Sequence, residues 1–144
     1  MNKQLLTFAL LAFLNFPAYA GDIVVIVNPA NSTQELSKRD LINLYMGKHH
    51  SFQNGDSVVA FDQKQDSEIR EQFYRSLVNK SVAQVNAYWA RLLFTGRVTP
   101  PKELADSQEV LDQVKNNPNA IGYIDSDYLE NSVKEVFRMA QTIN

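Results

Sequence analysis

The stretch Val58-Val59-Ala60-Phe61-Asp62-Gln63-Lys64-Gln65-Asp66-Ser67-Glu68-Ile69-Arg70-Glu71-Gln72-Phe73 decides how the rest of the chain is read. Val58 to Phe61 is a short apolar run with the β-branched and aromatic composition of a buried strand. Asp62 to Gln65 is polar, and Asp66 or Ser67 can cap a helix that carries Ile69, Phe73 and Leu77 on one face. A buried strand running into a helix N-terminus leaves free N–H groups and the positive end of the helix dipole at one place. That arrangement suits an anion.

Around this stretch the chain alternates strands and helices. Ile23 to Val27 is a continuous β-branched run, the pattern of a strand covered on both faces, and Asn28-Pro29 ends it. Ser37 and Asp40 have capping-box spacing for a short helix with Leu41, Leu44 and Tyr45 inside, and Gly47 is its stop. Asn54-Gly55 marks a turn. Ser81 and Gln84 make a second capping box, for a helix from Val82 to about Phe94 with Val82, Val85 and Trp89 on its core face. Val98 to Pro101 is expected to be a rigid loop. A helix over Asp106 to Lys115, a strand over Ala120 to Ile124, a helical turn near Asp127 to Leu129 and a strand over Lys134 to Arg138 complete the reading. This order predicts an α/β domain with a parallel or mixed sheet flanked by helices. Ligands of such sheets bind beyond the carboxyl ends of strands, so the loops after Val27, Phe61 and Ile124 are expected to form one rim.

The first 20 residues read as a signal peptide rather than fold. A short start with Lys3 precedes an apolar run from Leu5 to Phe16, and Ala18-Tyr19-Ala20 supplies the small residues of a cleavage site. No later segment approaches the ~20 apolar residues of a membrane span. Of 144 residues, 124 then remain as one domain. Without Lys3, the one charge of the leader, the formal net charge moves from −2 to −3. There is no basic excess to attract nucleic acid and no cationic amphipathic helix for a membrane surface. Export without a single Cys fits a bacterial periplasm.

Three segments together carry a resemblance. Leu36-Ser37-Lys38-Arg39-Asp40-Leu41-Ile42-Asn43-Leu44-Tyr45-Met46-Gly47-Lys48 is similar to a segment of the phosphate-binding proteins of ABC transporters. Trp89 to Arg97 with Pro100-Pro101-Lys102 resembles a later stretch of related solute-binding proteins, and Asn119-Ala120-Ile121-Gly122-Tyr123-Ile124 resembles one of their strands. The matching order and spacing cover nearly all of residues 23 to 137. The resemblance implies a single lobe of a type 2 periplasmic-binding-protein-like fold, over residues 21–144, where full members clamp a ligand between two lobes. In phosphate binders the loop after the central strand carries an arginine and a serine-glycine-threonine run. Here that segment is Asp62 to Glu68, with no glycine and with Asp62, Asp66 and Glu68 bringing negative charge.

The candidate ligand-binding residues are Asp62, Lys64, Asp66, Ser67 and Arg70. For Arg70 the favoured reading is a pair with Asp66 on its own helix, and for Ser67 a helix cap. His49-His50 reads as loop surface, since adjacent residues diverge and no third ligand stands at motif spacing. Trp89 reads as core. No catalytic motif is present, so no enzyme activity and no cofactor are expected. Two functions remain: a solute-binding domain that takes a small anion such as phosphate, or a ligand-free module that docks on an envelope protein. Mass spectrometry of the exported protein should show Gly21 as the mature N-terminus; a retained leader would contradict the signal-peptide reading.

Overall fold

In chain order the elements are β1 (Ile23–Val27), α1 (Lys38–Tyr45), β2 (Val59–Gln63), α2 (Glu68–Val78), α3 (Val82–Leu93), β3 (Lys102–Leu104), α4 (Ser107–Lys115), β4 (Ala120–Asp125) and β5 (Lys134–Met139), with a 3-10 turn at Ser126–Tyr128. The computed structural model describes residues 21–96 and 98–140. The leader, with the expected cleavage junction after Ala20, thus lies outside the described residues. Among them no helix is long and apolar enough to cross a membrane.

All five residues of β1 are buried, because helices cover both faces of the sheet. Ile23, Val25 and Val27 pack with α1, α2 and α3, whereas Val24 and Ile26 pack with α4. The strand order is β3-β2-β4-β1-β5. β1 runs antiparallel to β4 and β5, while β2 is parallel to both β4 and β3, so the sheet is mixed. Both expected capping boxes form, Ser37 with Asp40 and Ser81 with Gln84. Asn28, the residue that ends β1, donates from its side-chain amide to the carbonyls of Val114 and Lys115, each at 3.0 Å. It thereby satisfies the last turn of α4 and fixes which way that helix points.

Two glycines permit close approaches. Gly47 has φ +73°, and a Cβ there would lie 2.6 Å from the Trp89 ring. At Gly122 a Cβ would run into Val110 of α4, so its absence lets α4 settle on β4.

Three expectations are corrected. β2 continues through Asp62 and Gln63, which the polar composition had placed in a loop. Lys102 to Leu104, to which the sequence assigns no element, forms a parallel edge strand against Phe61 to Gln63. Its three residues carry too little apolar pattern to be read as a strand alone. The rim also differs. Because β1 is antiparallel to β4, Val27 pairs with Ile121 at the far end, and it is Ile23 that stands beside Asp125. The loop after Val27 is therefore at the opposite end of the sheet from the loops after β2 and β4.

Trp89 is buried, as its helical spacing implies, against the α1–α2 side of the core. Trp89→Ala should destabilise the protein by ~3–5 kcal/mol in urea unfolding, since it empties a large packed site. A change within ~0.5 kcal/mol would be that of a surface residue.

Candidate functional site

The carboxyl ends of β2 and β4 are each followed by tight polar structure, and the N-termini of α2 and α4 come to the same end of the sheet. Ser67 caps α2 by accepting from the Arg70 N–H, and Asp106 caps α4 by accepting from the Glu109 N–H at 2.9 Å. Between the two helix starts lies a cleft of about 410 Å³, lined by Gln63, Ser67, Glu68, Asp106, Ser107 and Asp125 among others. Two helix dipoles thus present their positive ends to one cleft.

Gln63 ties this rim together. Its buried amide donates to the Ser107 hydroxyl at 3.2 Å and to the Tyr123 carbonyl at 3.1 Å, and its oxygen accepts from Ser67 at 3.4 Å. Ser107 in turn accepts from the Asp125 N–H at 3.1 Å. One side chain therefore links the two helix starts to the end of β4. Asp125 and Asp106 work as local caps as well, Asp125 accepting from the Asp127 N–H at 2.9 Å.

On the other face of β2, Asp62 enters the core. Its carboxylate accepts from Arg70 Nε at 3.2 Å, from the Tyr74 hydroxyl at 2.6 Å and from the Tyr123 hydroxyl. Asp62 is 2% and Arg70 3% exposed. Arg70 also donates to Asn86 and stands 3.7 Å from Glu103. Burial pulls the Arg70 guanidinium pKa down, but Asp62 with Tyr74, Tyr123 and Glu103 raises it on balance. Burial and then Asp62 push the Tyr74 and Tyr123 hydroxyls well above the ordinary phenol range, so both remain donors.

Among solved structures, a candidate phosphate ABC transporter substrate-binding protein with bound phosphate from Clostridium perfringens is similar at TM-score 0.66 and 23% identity. The alignment covers 81% of this chain and 45% of that one. An ABC-type phosphate transport receptor from Vibrio cholerae (TM-score 0.65, 18% identity, 81% and 46% covered) and PstS from Borrelia burgdorferi (0.63, 15%, 81% and 47%) are similar in the same way. The fold is that of one lobe of a phosphate-transport receptor. This chain spans less than half the length of each of these proteins. No protein-family model matches it, and no curated protein matches it by sequence.

Within this receptor-like lobe the five candidate residues do not form one site. Ser67 alone lines the rim cleft. Lys64 and Asp66 sit on the exposed loop and pair with each other at 3.8 Å. Asp62 and Arg70 bind one another inside the protein, which corrects the expected Arg70–Asp66 surface pair. Strand alternation accounts for the split: Asp62 and Gln63 point to opposite faces of β2. His49 and His50 are exposed, as expected of a loop. Sequence reading expected the rim after Phe61 and Ile124, where Gln63 and Asp125 stand, but singled out neither of them nor Ser107. The one signal for Ser107 was its place directly after the α4 cap, and for Gln63 its place in the polar run after Phe61.

Arg70→Ala would leave the Asp62 carboxylate buried without a cation, with only the Tyr74 and Tyr123 hydroxyls and the Gln63 N–H as donors. Chemical denaturation should show a loss of about 3–5 kcal/mol, and Asp62→Asn a comparable one, because it leaves the buried Arg70 cation without this partner and turns an NH2 group toward donors. Equal and small effects would mean the pair is open to water.

Proposed function

We propose that the chain is an exported, periplasmic solute-binding-like lobe of the phosphate-receptor type, and that its rim cleft is half of a recognition site. The convergence of two capped helix N-termini on one cleft, at the carboxyl ends of parallel strands, carries this reading. Ser67 and Ser107 bring hydroxyls to the same place. A small anion such as phosphate is the ligand class that helix N-termini favour, and phosphate is bound in the Clostridium perfringens structure.

The lining sets the condition for binding. Glu68, Asp106 and Asp125 line the cleft, and no Lys or Arg does among the described residues. Like charges ~4 Å apart repel by ~4 kcal/mol at an effective dielectric of 20, which offsets what the helix dipoles contribute. Cations must therefore come from a facing surface. The same lining favours a second reading, in which the cleft holds no solute and docks directly on a basic surface of an envelope protein.

Thermal denaturation separates these from free-standing phosphate binding. A ligand at a hundred times its dissociation constant stabilises by ~2.7 kcal/mol, which is several degrees for a domain of this size. The isolated protein should show no such shift with millimolar phosphate, sulfate or small carboxylates, and a photo-crosslinker at the exposed Tyr128 should capture an envelope partner in cells. A clear phosphate shift that Ser67→Ala abolishes would make the lobe a complete binder by itself.

A further inference from the structure

Gly21 stands two residues before β1 and lines the rim cleft. The residue after it is held twice. The Asp22 carbonyl accepts from the Ser126 N–H at 2.9 Å, and the Asp22 carboxylate accepts from Arg138 Nη1 at 3.0 Å. Gly21 is thereby fixed beside Asp125. A Cβ on Gly21 would lie 2.7 Å from Asp125 Oδ1 and 2.9 Å from Oδ2, too close for a carbon. The missing side chain lets the carboxylate close against the Gly21 Cα.

A distance that excludes a carbon suits a charged nitrogen, since charge-assisted N–H···O bonds run at about 2.7–2.9 Å. A terminal glycine has neither a preceding residue nor a side chain. Turning its Cα–C bond by about 120° carries the nitrogen to the Cβ site, because the two positions are tetrahedral neighbours at similar bond lengths. An α-ammonium there reaches both oxygens of Asp125. With the leader attached, the same nitrogen is a neutral amide.

The rest of the cleft gives that charge its weight. Glu68 of α2, Asp106 of α4 and Asp125 of β4 line it, with Tyr128 of the 3-10 turn, and no Lys or Arg does among the described residues. Arg138 of β5 is engaged by Asp22 and Glu135. We propose that removing the leader after Ala20 installs the rim's own cation, the α-ammonium of Gly21 paired with Asp125. This rests on the export reading, because only cleavage creates the charge. One cation then stands against three carboxylates, so a small anion still needs cations from a facing surface. The rim's lining nevertheless differs between the two forms of the chain. The processed lobe presents a closed Gly21–Asp125 pair beside Glu68 and Asp106, whereas the unprocessed one presents three carboxylates. Maturation and completion of the half-site are one event.

A terminal α-amino group ordinarily titrates at about 7.7–8.0. In protein that starts at Gly21, its midpoint, read from the Gly21 Cα and Hα NMR resonances, is expected about one unit or more higher. Asp125→Asn should remove most of that rise while keeping an oxygen for the Asp127 N–H. A group whose pKa is raised by folding stabilises fully below its unfolded value and ceases to do so above its folded one. Relative to the same chain acetylated at Gly21, the melting midpoint should be higher at about pH 6–7, and the advantage should vanish as pH rises past about 9–10. The proposal is overturned if the group titrates in its ordinary range, if Asp125→Asn leaves its midpoint unmoved, or if acetylation acts equally at every pH. A native N-terminus other than Gly21, found by mass spectrometry, overturns it together with the signal-peptide reading. An ordinary titration at a native Gly21 overturns the pairing alone.

Discussion

A carboxylate held inside the protein by one arginine and two tyrosines is the constraint on which the lobe depends. Asp62 lies on β2, on the face of the sheet that α2 covers, and Arg70, Tyr74 and Tyr123 approach it from α2 and from β4. A buried charge is tolerable only when it is paired and its remaining lone pairs are satisfied, and here Arg70, the two tyrosines and the Gln63 N–H do that. The pair also sets geometry. Arg70 and Tyr74 are one turn apart on α2, so their common grip on Asp62 fixes the rotation of that helix about its axis. With the rotation set, Phe73 stacks on Tyr123 with ring centroids 3.8 Å apart, and Tyr45 meets both rings edge-on.

The position of the rim follows from that rotation. Ser67 begins α2 three residues before Arg70, so the helix that binds Asp62 inside must start beside Gln63 outside. α4 is fixed from its other end by Asn28, which caps its last carbonyls and so aims its first turn at Ser67. The two helix N-termini meet because a polar residue anchors each helix elsewhere in the sheet. That convergence is a property of the framework, independent of whether any solute binds.

The same anchoring redistributes charge. An arginine near the start of a rim helix reads naturally as an anion contact, yet here Asp62 engages it from within. What faces the rim cleft is hydroxyl, amide and carboxylate. The basic character expected of a free-standing oxyanion site is spent inside the core, and the remainder of the guanidinium borders a different cleft, beside α3 and the edge strand. Two clefts with different linings result, one of hydroxyl, amide and carboxylate at two helix starts, the other walled by Arg70, Asn86, Trp89 and Glu103 among others.

The sequence by itself determined the elements and their class. The unbroken Ile-Val-Val-Ile-Val run could only be a strand covered on both faces, and the Ser37–Asp40 and Ser81–Gln84 spacings placed two helix starts to the residue. The apolar period on α3 put Trp89 in the core. These are local signals, carried by neighbours a few positions apart. Tertiary structure decided what local signals cannot encode. Whether Asp62 and Gln63 are loop or strand depends on the pairing partners of β2, and the direction of β1 depends on β4 and β5, more than a hundred positions away for β5. Arg70 had a carboxylate at Asp66 four residues back and another at Asp62 eight back. Only the packing of α2 on the sheet, which removes Asp62 from water and leaves Asp66 in it, selects the second, because a buried carboxylate requires a cation and an exposed one does not.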